Sequence, residues 1–372
     1  MEHWGGGEEF LLKLSDNIKE YEFIVATPPG ESSNRYSQAG VKIIIIKSLK
    51  KFYRRNNKWN VSSKLKILIN IKISSIRLLG VILKHKIDFI LCNGNLAGLY
   101  GLPAAFLTMK RLLIVQHLIY DVDSVESGIL RLLNRHSYKM ICISDTVKEN
   151  VNRILGKKTK DNLVTIYHGI SLPKQAEKID GKKGHEINAG VIGSIIRLKG
   201  ISLIIESLKE VIQKNPDVHL NIFGEVRKDE PDSSKYYDEL LNQIEQYGIN
   251  NNVHFRGFEK SKEALYSNLD IVVSYSTVAE SFSLIVLEAL SFGKIVVAAE
   301  LGGPAEIISN GYNGFLVPPQ NIEKLRERLD YCIKNKDSIE FNTIKKNARN
   351  TIEEKYSLKR FTAKYKNLFD TI

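Results

Sequence analysis

With 372 residues, 43% apolar and 26% charged, the chain is long enough for two domains that each bury a core, and its composition excludes a disordered, fibrous or low-complexity protein. The net charge of +12 is local: thirteen Lys or Arg and no Asp or Glu lie between Lys42 and Lys86, and the rest of the chain is close to neutral. Cys92, Cys142 and Cys332 follow no metal-ligand or redox spacing, which excludes a cysteine-built metal site and reads as three reduced core thiols.

Met1 stands almost on Gly5-Gly6-Gly7-Glu8-Glu9, which opens a helix predicted to end near Lys19 and places a permissive backbone with bare N–H groups at a ligand-facing edge. The strand that leads into such a turn in a doubly wound sheet is missing from the sequence. That strand is normally central, so its two neighbours are expected to show unpaired edges. The chain opens on polar and glycine residues with no signal peptide, so a cytoplasmic location is expected.

Predicted strands then alternate with helices, the pattern of parallel sheets with crossover connections. In the first half they cover Phe23–Ala26, Val41–Ile46, Asp88–Cys92, Leu112–Gln116, Lys139–Ile143 and Leu163–Tyr167. The basic stretch falls among them. Its charges alternate with apolar residues such as Leu65, Leu68, Ile69, Ile73 and Ile76, so an amphipathic surface facing anionic lipid fits better than a nucleic-acid site; a solvated helix face is the plainer alternative. Residues 89–109 carry no charge, but Asn93, Gly94, Asn95, Gly98, Gly101 and Pro103 interrupt them, which predicts strand, loop and helix instead of a membrane span.

His117 follows a strand at the carboxyl end, where parallel sheets bind ligands, though a lone His there is more often structural. Asp121-Val-Asp123 has metal-site spacing without the strand context of one. Ser144-Asp145 reads as the cap of a helix running to Leu155. Pro173–His185, rich in Lys and Gly, is the expected hinge between two doubly wound domains. Beyond it the predicted strands are Asn188–Ile192, His219–Phe223, Val253–Arg256, Ile271–Ser274, Ile295–Ala298 and Phe315–Val317.

Three second-half segments carry chemistry. Glu280-Ser-Phe-Ser-Leu-Ile-Val-Leu-Glu288 joins a strand to a helix from about Ser283 to Phe292 that is apolar on nearly every face but Glu288. A nearly buried carboxylate needs partners, and ligand hydroxyls suit it; an internal Arg would serve equally well. The backbone N–H groups of Phe282, Ser283 and Leu284 at the helix start favour a diphosphate. Gly190-Val-Ile-Gly193-Ser-Ile-Ile-Arg197-Leu-Lys199-Gly200 is a strand, a Gly-bearing turn and a helix start, where a lysine can neutralise phosphate oxygens. Gly302-Gly303-Pro304-Ala305-Glu306 is a flexible turn into another helix.

Together, Glu280 and Glu288, Lys199-Gly200, Gly302-Gly303 with Glu306, Asn313-Gly314-Phe315-Leu316-Val317 and Gly5-Gly6-Gly7-Glu8 resemble the retaining glycosyltransferases of family 4, group 1, with the GT-B fold. The resemblance implies two Rossmann-like domains facing a cleft: residues 1–180 for the acceptor, 181–355 for a nucleotide-sugar donor, and a helix over 356–372, within it Leu358–Phe369, that returns to the first domain. It implies that Glu280 contacts the donor sugar, Glu288 the ribose, and Lys199 with the amides of Phe282, Ser283 and Leu284 the diphosphate. Gly5, Gly6 and Gly7 would border phosphate and acceptor, and His117 would bond the donor sugar. Gly193 is followed by Ser194 where the family usually has Arg, a charge that Arg197 is expected to supply from within the same turn.

The activity implied is transfer of a hexose from a nucleotide diphosphate sugar to a glycan or lipid-linked acceptor, with no metal, no other cofactor and no nucleic-acid partner. The setting implied is peripheral, at the inner face of a membrane, in surface polysaccharide or lipopolysaccharide synthesis. A nucleotide-sugar epimerase of the same fold, or a catalytically silent membrane-associated scaffold, are the alternatives.

Overall fold

The computed structural model describes residues 6–49, 61–156, 160–173, 186–227 and 231–372. Gly5, most of the predicted hinge and the middle of the basic stretch lie outside them. The chain divides into two compact units, Met1–His168 with Phe361–Ile372, and Gly169–Arg360.

The first unit runs α1 (Gly6–Asn17), β1 (Ile24–Thr27), α2 (Glu31–Gln38), β2 (Lys42–Ile45), α3 (Val61–Lys84), β3 (Phe89–Asn93), α4 (Asn95–Thr108), β4 (Arg111–Gln116), α5 (Val125–His136), β5 (Lys139–Cys142), α6 (Asp145–Leu155) and β6 (Leu163–Thr165). Every pairing is parallel, as βα alternation requires, but the strands form two sheets, β1-β2 and β3-β4-β5-β6. Among the described residues no ladder joins the β1-β2 sheet to the β3-β4-β5-β6 sheet. The uncharged stretch is β3 and α4, as predicted. Ser144 caps α6 by accepting from the Val147 N–H.

The second unit runs β7 (Ile187–Ile192), a 3-10 turn (Arg197–Lys199), α7 (Ile201–Lys214), β8 (Val218–Phe223), α8 (Pro231–Tyr247), β9 (Val253–Gly257), α9 (Lys262–Ser267), β10 (Ile271–Ser274), α10 (Leu284–Ser291), β11 (Ile295–Ala299), α11 (Gly303–Ile307), β12 (Phe315–Val317), α12 (Ile322–Asn335) and α13 (Ile339–Lys355), followed by α14 (Leu358–Asp370). Its six parallel strands lie in the order β12-β11-β10-β7-β8-β9. β10 and β11 read Ile-Val-Val-Ser and Ile-Val-Val-Ala-Ala because helices cover both faces of a parallel sheet, and they share a core with aliphatic residues of β7, β8, α7 and α12 such as Leu208 and Leu329.

The strand order reverses between β7 and β10. In a doubly wound sheet that reversal opens a crevice at the carboxyl ends of the two strands. α14 ends in the first unit, as the resemblance implies: Phe10 of α1 lies edge-on to Phe361 and Tyr365 at 5.8 and 5.5 Å, and Phe369 stacks at a tilt on Phe89 at 4.9 Å. The three cysteines are buried and free, and burial pushes each thiol up to about 12.

Candidate functional site

The segment after β7 and the segment after β10 meet at the switch point. The β7 segment closes through the 3-10 turn to Gly200, whose φ of 66° belongs to glycine and whose Cβ, were there one, would stand 2.1 Å from the Tyr275 carbonyl oxygen. The Thr277 N–H donates to the Leu198 carbonyl at 2.9 Å, which ties the two loops together. Lys199 is thereby aimed back across Gly193: its Cε lies 3.5 Å from where a Cβ of Gly193 would be.

Lys199 Nζ then donates to Glu280 Oε1 at 2.5 Å, and the Ser276 hydroxyl donates to the same oxygen at 2.5 Å. The two side chains are 30% and 16% exposed, so the pair sits near the surface with limited hydration. Burial raises the Glu280 carboxyl, but Lys199, Ser276 and Ser283 outweigh it and hold the group below its ordinary 4.5. A half-buried ion pair adds little net stability, because desolvation offsets its attraction.

Ser283 is the N-cap residue of α10, yet its side chain makes no cap bond; its hydroxyl goes to Glu280. The Ser283 side chain therefore leaves the first amides of α10 uncapped, which is the arrangement an anion can complete. One helical face further, Glu288 is 13% exposed and already paired, with Lys262 Nζ at 2.6 Å and the Tyr266 hydroxyl at 3.2 Å. Burial, and then Glu288, push the Tyr266 phenol far above its usual value.

Some predicted residues do other work. Arg197 does not join Lys199: its guanidinium binds Asp232 at 3.0 Å and Glu239 at 2.7 Å on α8 and lies 4.9 Å from the centre of the Tyr236 ring, so the positive charge expected in place of Ser194 is engaged elsewhere. Ser194 stays in the turn, its carbonyl accepting from the Ile196 N–H at 3.0 Å. Gly302 and Gly303 support the Glu280 loop through backbone contacts. Asn313 is structural, its amide bonded to the Ile307 carbonyl at 3.1 Å and to Thr351 at 3.2 Å.

In the first unit, Gly6 and Gly7 start α1, and His117 follows β4 with its ring edge-on to Phe10 at 5.3 Å and stacked on His168 at 5.7 Å. Burial pushes His117 down to about 4 against a weaker upward pull from Glu8, so it is neutral at pH 7. Asp121 offers its backbone carbonyl to the hydroxyls of Ser124 and Ser127, a loop that caps α5.

The residues that sequence patterning missed are Ser276, Lys262, Tyr266 and Asn93, each a partner of a predicted one. Ser276 sits four residues before Glu280 and was within reach of a close reading. Lys262 and Tyr266 come from α9, and Asn93 from β3, and no spacing links them to Glu288 or His117.

Residues 174–351 match the family model described as Glycosyl transferases group 1. The match covers nearly all of the second unit. An uncharacterized glycosyltransferase of Methanocaldococcus jannaschii is 29% identical over 254 residues, 64% of this chain and 62% of its own length, so the match spans less than two thirds of that relative. CapM of Staphylococcus aureus, a capsular polysaccharide biosynthesis glycosyltransferase, is 26% identical over 313 residues, 78% of this chain and 79% of its own. The crystal structure of HepE of Anabaena in complex with UDP superposes with a TM-score of 0.82 at 22% identity, covering 99% of this chain and 97% of that one. That likeness places the fold in the GT-B class; HepE has also been solved with UDP-glucose, at a TM-score of 0.78 and 22% identity, over 100% of this chain and 98% of that one.

Proposed function

We propose that this group 1 glycosyltransferase transfers a hexose from a nucleotide diphosphate sugar to a glycan or lipid-linked acceptor with retention of configuration and without a metal ion. The observation that carries the reading is the Lys199–Glu280–Ser276 cluster at the β7/β10 switch point, beside an uncapped helix start. A donor diphosphate competes with Glu280 for the Lys199 ammonium. Drawing the lysine away neutralises the phosphate and frees the Glu280 carboxylate for sugar hydroxyls, while the α10 amides take the remaining phosphate charge. Glu288 would exchange Lys262 or Tyr266 for ribose hydroxyls in the same way.

In the reaction proposed, the acceptor oxygen bonds to the anomeric carbon on the face from which the phosphate oxygen leaves, and the acceptor proton passes to that phosphate oxygen. HepE in complex with UDP-glucose and CapM in capsular polysaccharide synthesis support a nucleotide-sugar donor and a polysaccharide acceptor.

We place the acceptor at an anionic membrane surface on the cytoplasmic side. α3 supports this: Leu65, Leu68, Ile69, Ile73, Ile76 and Leu83, at helical spacing, are 40% to 65% exposed, although its inward face is also apolar at the buried Ile82 and carries Ser74 and Ser75, bonded to Ser48 and to the Tyr100 carbonyl. An outward apolar stripe with Lys66, Lys72, Arg77 and Lys84 among and beside it suits a lipid interface. Among the described residues no helix is long and apolar enough to cross a membrane.

A thermal-shift panel of nucleotide sugars tests the donor: a true donor at a hundred times its dissociation constant adds about 2.7 kcal/mol of stability. Product analysis with a chelator present, reading the anomeric configuration by NMR, tests retention and metal independence. A panel in which no nucleoside diphosphate or its sugars raises the midpoint would sink the proposal.

A further inference from the structure

His117 sits at the carboxyl end of β4, and its Nε2 lies 2.5 Å from Asn93 Oδ1 at the end of β3. The other end of that amide is committed: Asn93 Nδ2 donates to the Gly7 carbonyl at 2.8 Å. A carbonyl only accepts, so the Asn93 nitrogen must face Gly7 and the Asn93 oxygen must face the imidazole. The approach is close on the Gly7 side, where a Cβ would come within 3.3 Å of Asn93 Nδ2. Turning the amide over would set its oxygen against the Gly7 oxygen, leaving two acceptors face to face and no donor for either.

An amide oxygen also only accepts, so Nε2 of His117 carries the proton. A neutral imidazole has one N–H, and burial keeps this one neutral at pH 7, so Nδ1 is a bare acceptor. Nδ1 has no hydrogen-bond partner among the described residues. The ring is clamped by Phe10 on its edge and His168 on its face, and burial pushes His168 down to about 3, so it too is neutral at pH 7.

We infer that Asn93 is a positioning residue that locks His117 in the Nε2-protonated tautomer, so that Nδ1 accepts a hydrogen bond from a sugar hydroxyl. Gly7 serves this device as the anchor of Asn93. The inference rests on the proposed sugar-transfer function, and it specifies which nitrogen acts and in which direction the hydrogen bond runs. It selects for a sugar that presents a hydroxyl at that site and against one that lacks it, because a ligand without that hydroxyl covers the Nδ1 acceptor and gives it no donor.

The test is long-range proton–nitrogen NMR on the full chain with 15N-labelled histidine, the His117 signals assigned by their loss in His117→Phe. The expected result is a proton on Nε2 and none on Nδ1. Asn93→Leu releases the tautomer, moving the proton population toward Nδ1, and lowers kcat about tenfold with little change in KM for the acceptor. Asn93→Asp keeps an oxygen facing Nε2, so it preserves the Nε2–H signal while raising the pH at which the ring becomes doubly protonated. A wild-type proton on Nδ1, or an Asn93→Leu spectrum unchanged from wild type, overturns the inference. Both spectra are read without turnover: absence of any sugar transfer with a correct tautomer rejects the glycosyltransferase reading alone, and transfer with the opposite tautomer rejects this inference alone.

Discussion

The Gly303 amide donates to the Glu280 carbonyl at 2.8 Å, and Gly302 bridges to Glu280 as an isolated parallel pair. Two motifs separated by more than twenty residues are thus one piece of backbone, and the direction of the Glu280 side chain is decided by glycines on the far side of β11.

Gly303→Ala is expected to disable the site while the unit stays folded. Its Cβ would stand 2.6 Å from Phe282 Cα and 3.1 Å from the Phe282 and Ser283 nitrogens, so backbone has to move. Overpacking of this kind costs about 1 to 3 kcal/mol. Calorimetry should show UDP or another recognised nucleoside diphosphate binding at least about tenfold more weakly. Equal affinity in the variant would mean that this loop does not hold the diphosphate.

Glu280→Gln is expected to abolish transfer with a modest effect on unfolding. Because the folded pKa lies below the ordinary 4.5, wild type gains stability over the variant above that value. The gain disappears as the pH falls through the lower folded value. Urea unfolding at pH 7 should show a gap of about 1 kcal/mol, since Gln retains a hydrogen bond and Lys199 keeps contact with water. A gap that widened toward pH 3 would contradict the Lys199–Glu280 pairing.

Lys199→Ala and Arg197→Ala separate the two basic residues of one turn. Loss of a charge aimed at the leaving diphosphate typically costs about a hundredfold in kcat. That loss is expected for Lys199→Ala, whereas Arg197→Ala, which removes exposed pairs with Asp232 and Glu239, should leave kcat within about twofold and cost under about 1 kcal/mol of stability. Equal losses in both variants would return Arg197 to the phosphate site.

On α3, the double change Leu68→Glu with Ile76→Glu replaces side chains that are 62% and 61% exposed. Co-sedimentation with phosphatidylglycerol vesicles should fall at least about tenfold, with an unchanged thermal midpoint and an unchanged turnover of soluble acceptor. Retained binding by the variant would assign the stripe to something other than lipid.

Stability should also carry a signature of the first unit's buried imidazoles. His117 and His168 have folded values pushed down to about 4 and about 3 from 6.5, so both disfavour the folded state once the unfolded chain takes up their protons. Unfolding free energy is expected to fall as the pH drops below about 6.5, and His168→Phe should flatten that slope. An identical slope in the variant would show that His168 is hydrated in the folded chain.

All twelve strands were legible in the sequence to within one or two residues at each end, because short β-branched runs bounded by turn residues alternate with helical periodicity. The same patterning marked Glu280, Lys199 and the apolar helix around Glu288, since a carboxylate in an apolar helix and glycines at strand ends are local signals. What local pattern could not decide was pairing. Whether Arg197 turns to phosphate or to Asp232, whether Gly302 and Gly303 meet a ligand or the Glu280 backbone, and which residue holds His117 all depend on groups brought together from distant positions. Sequence periodicity encodes which face of an element is buried; partner choice is decided by strand order in the sheet, because the reversal between β7 and β10, and the adjacency of β3 and β4, set which loop ends come within hydrogen-bonding distance.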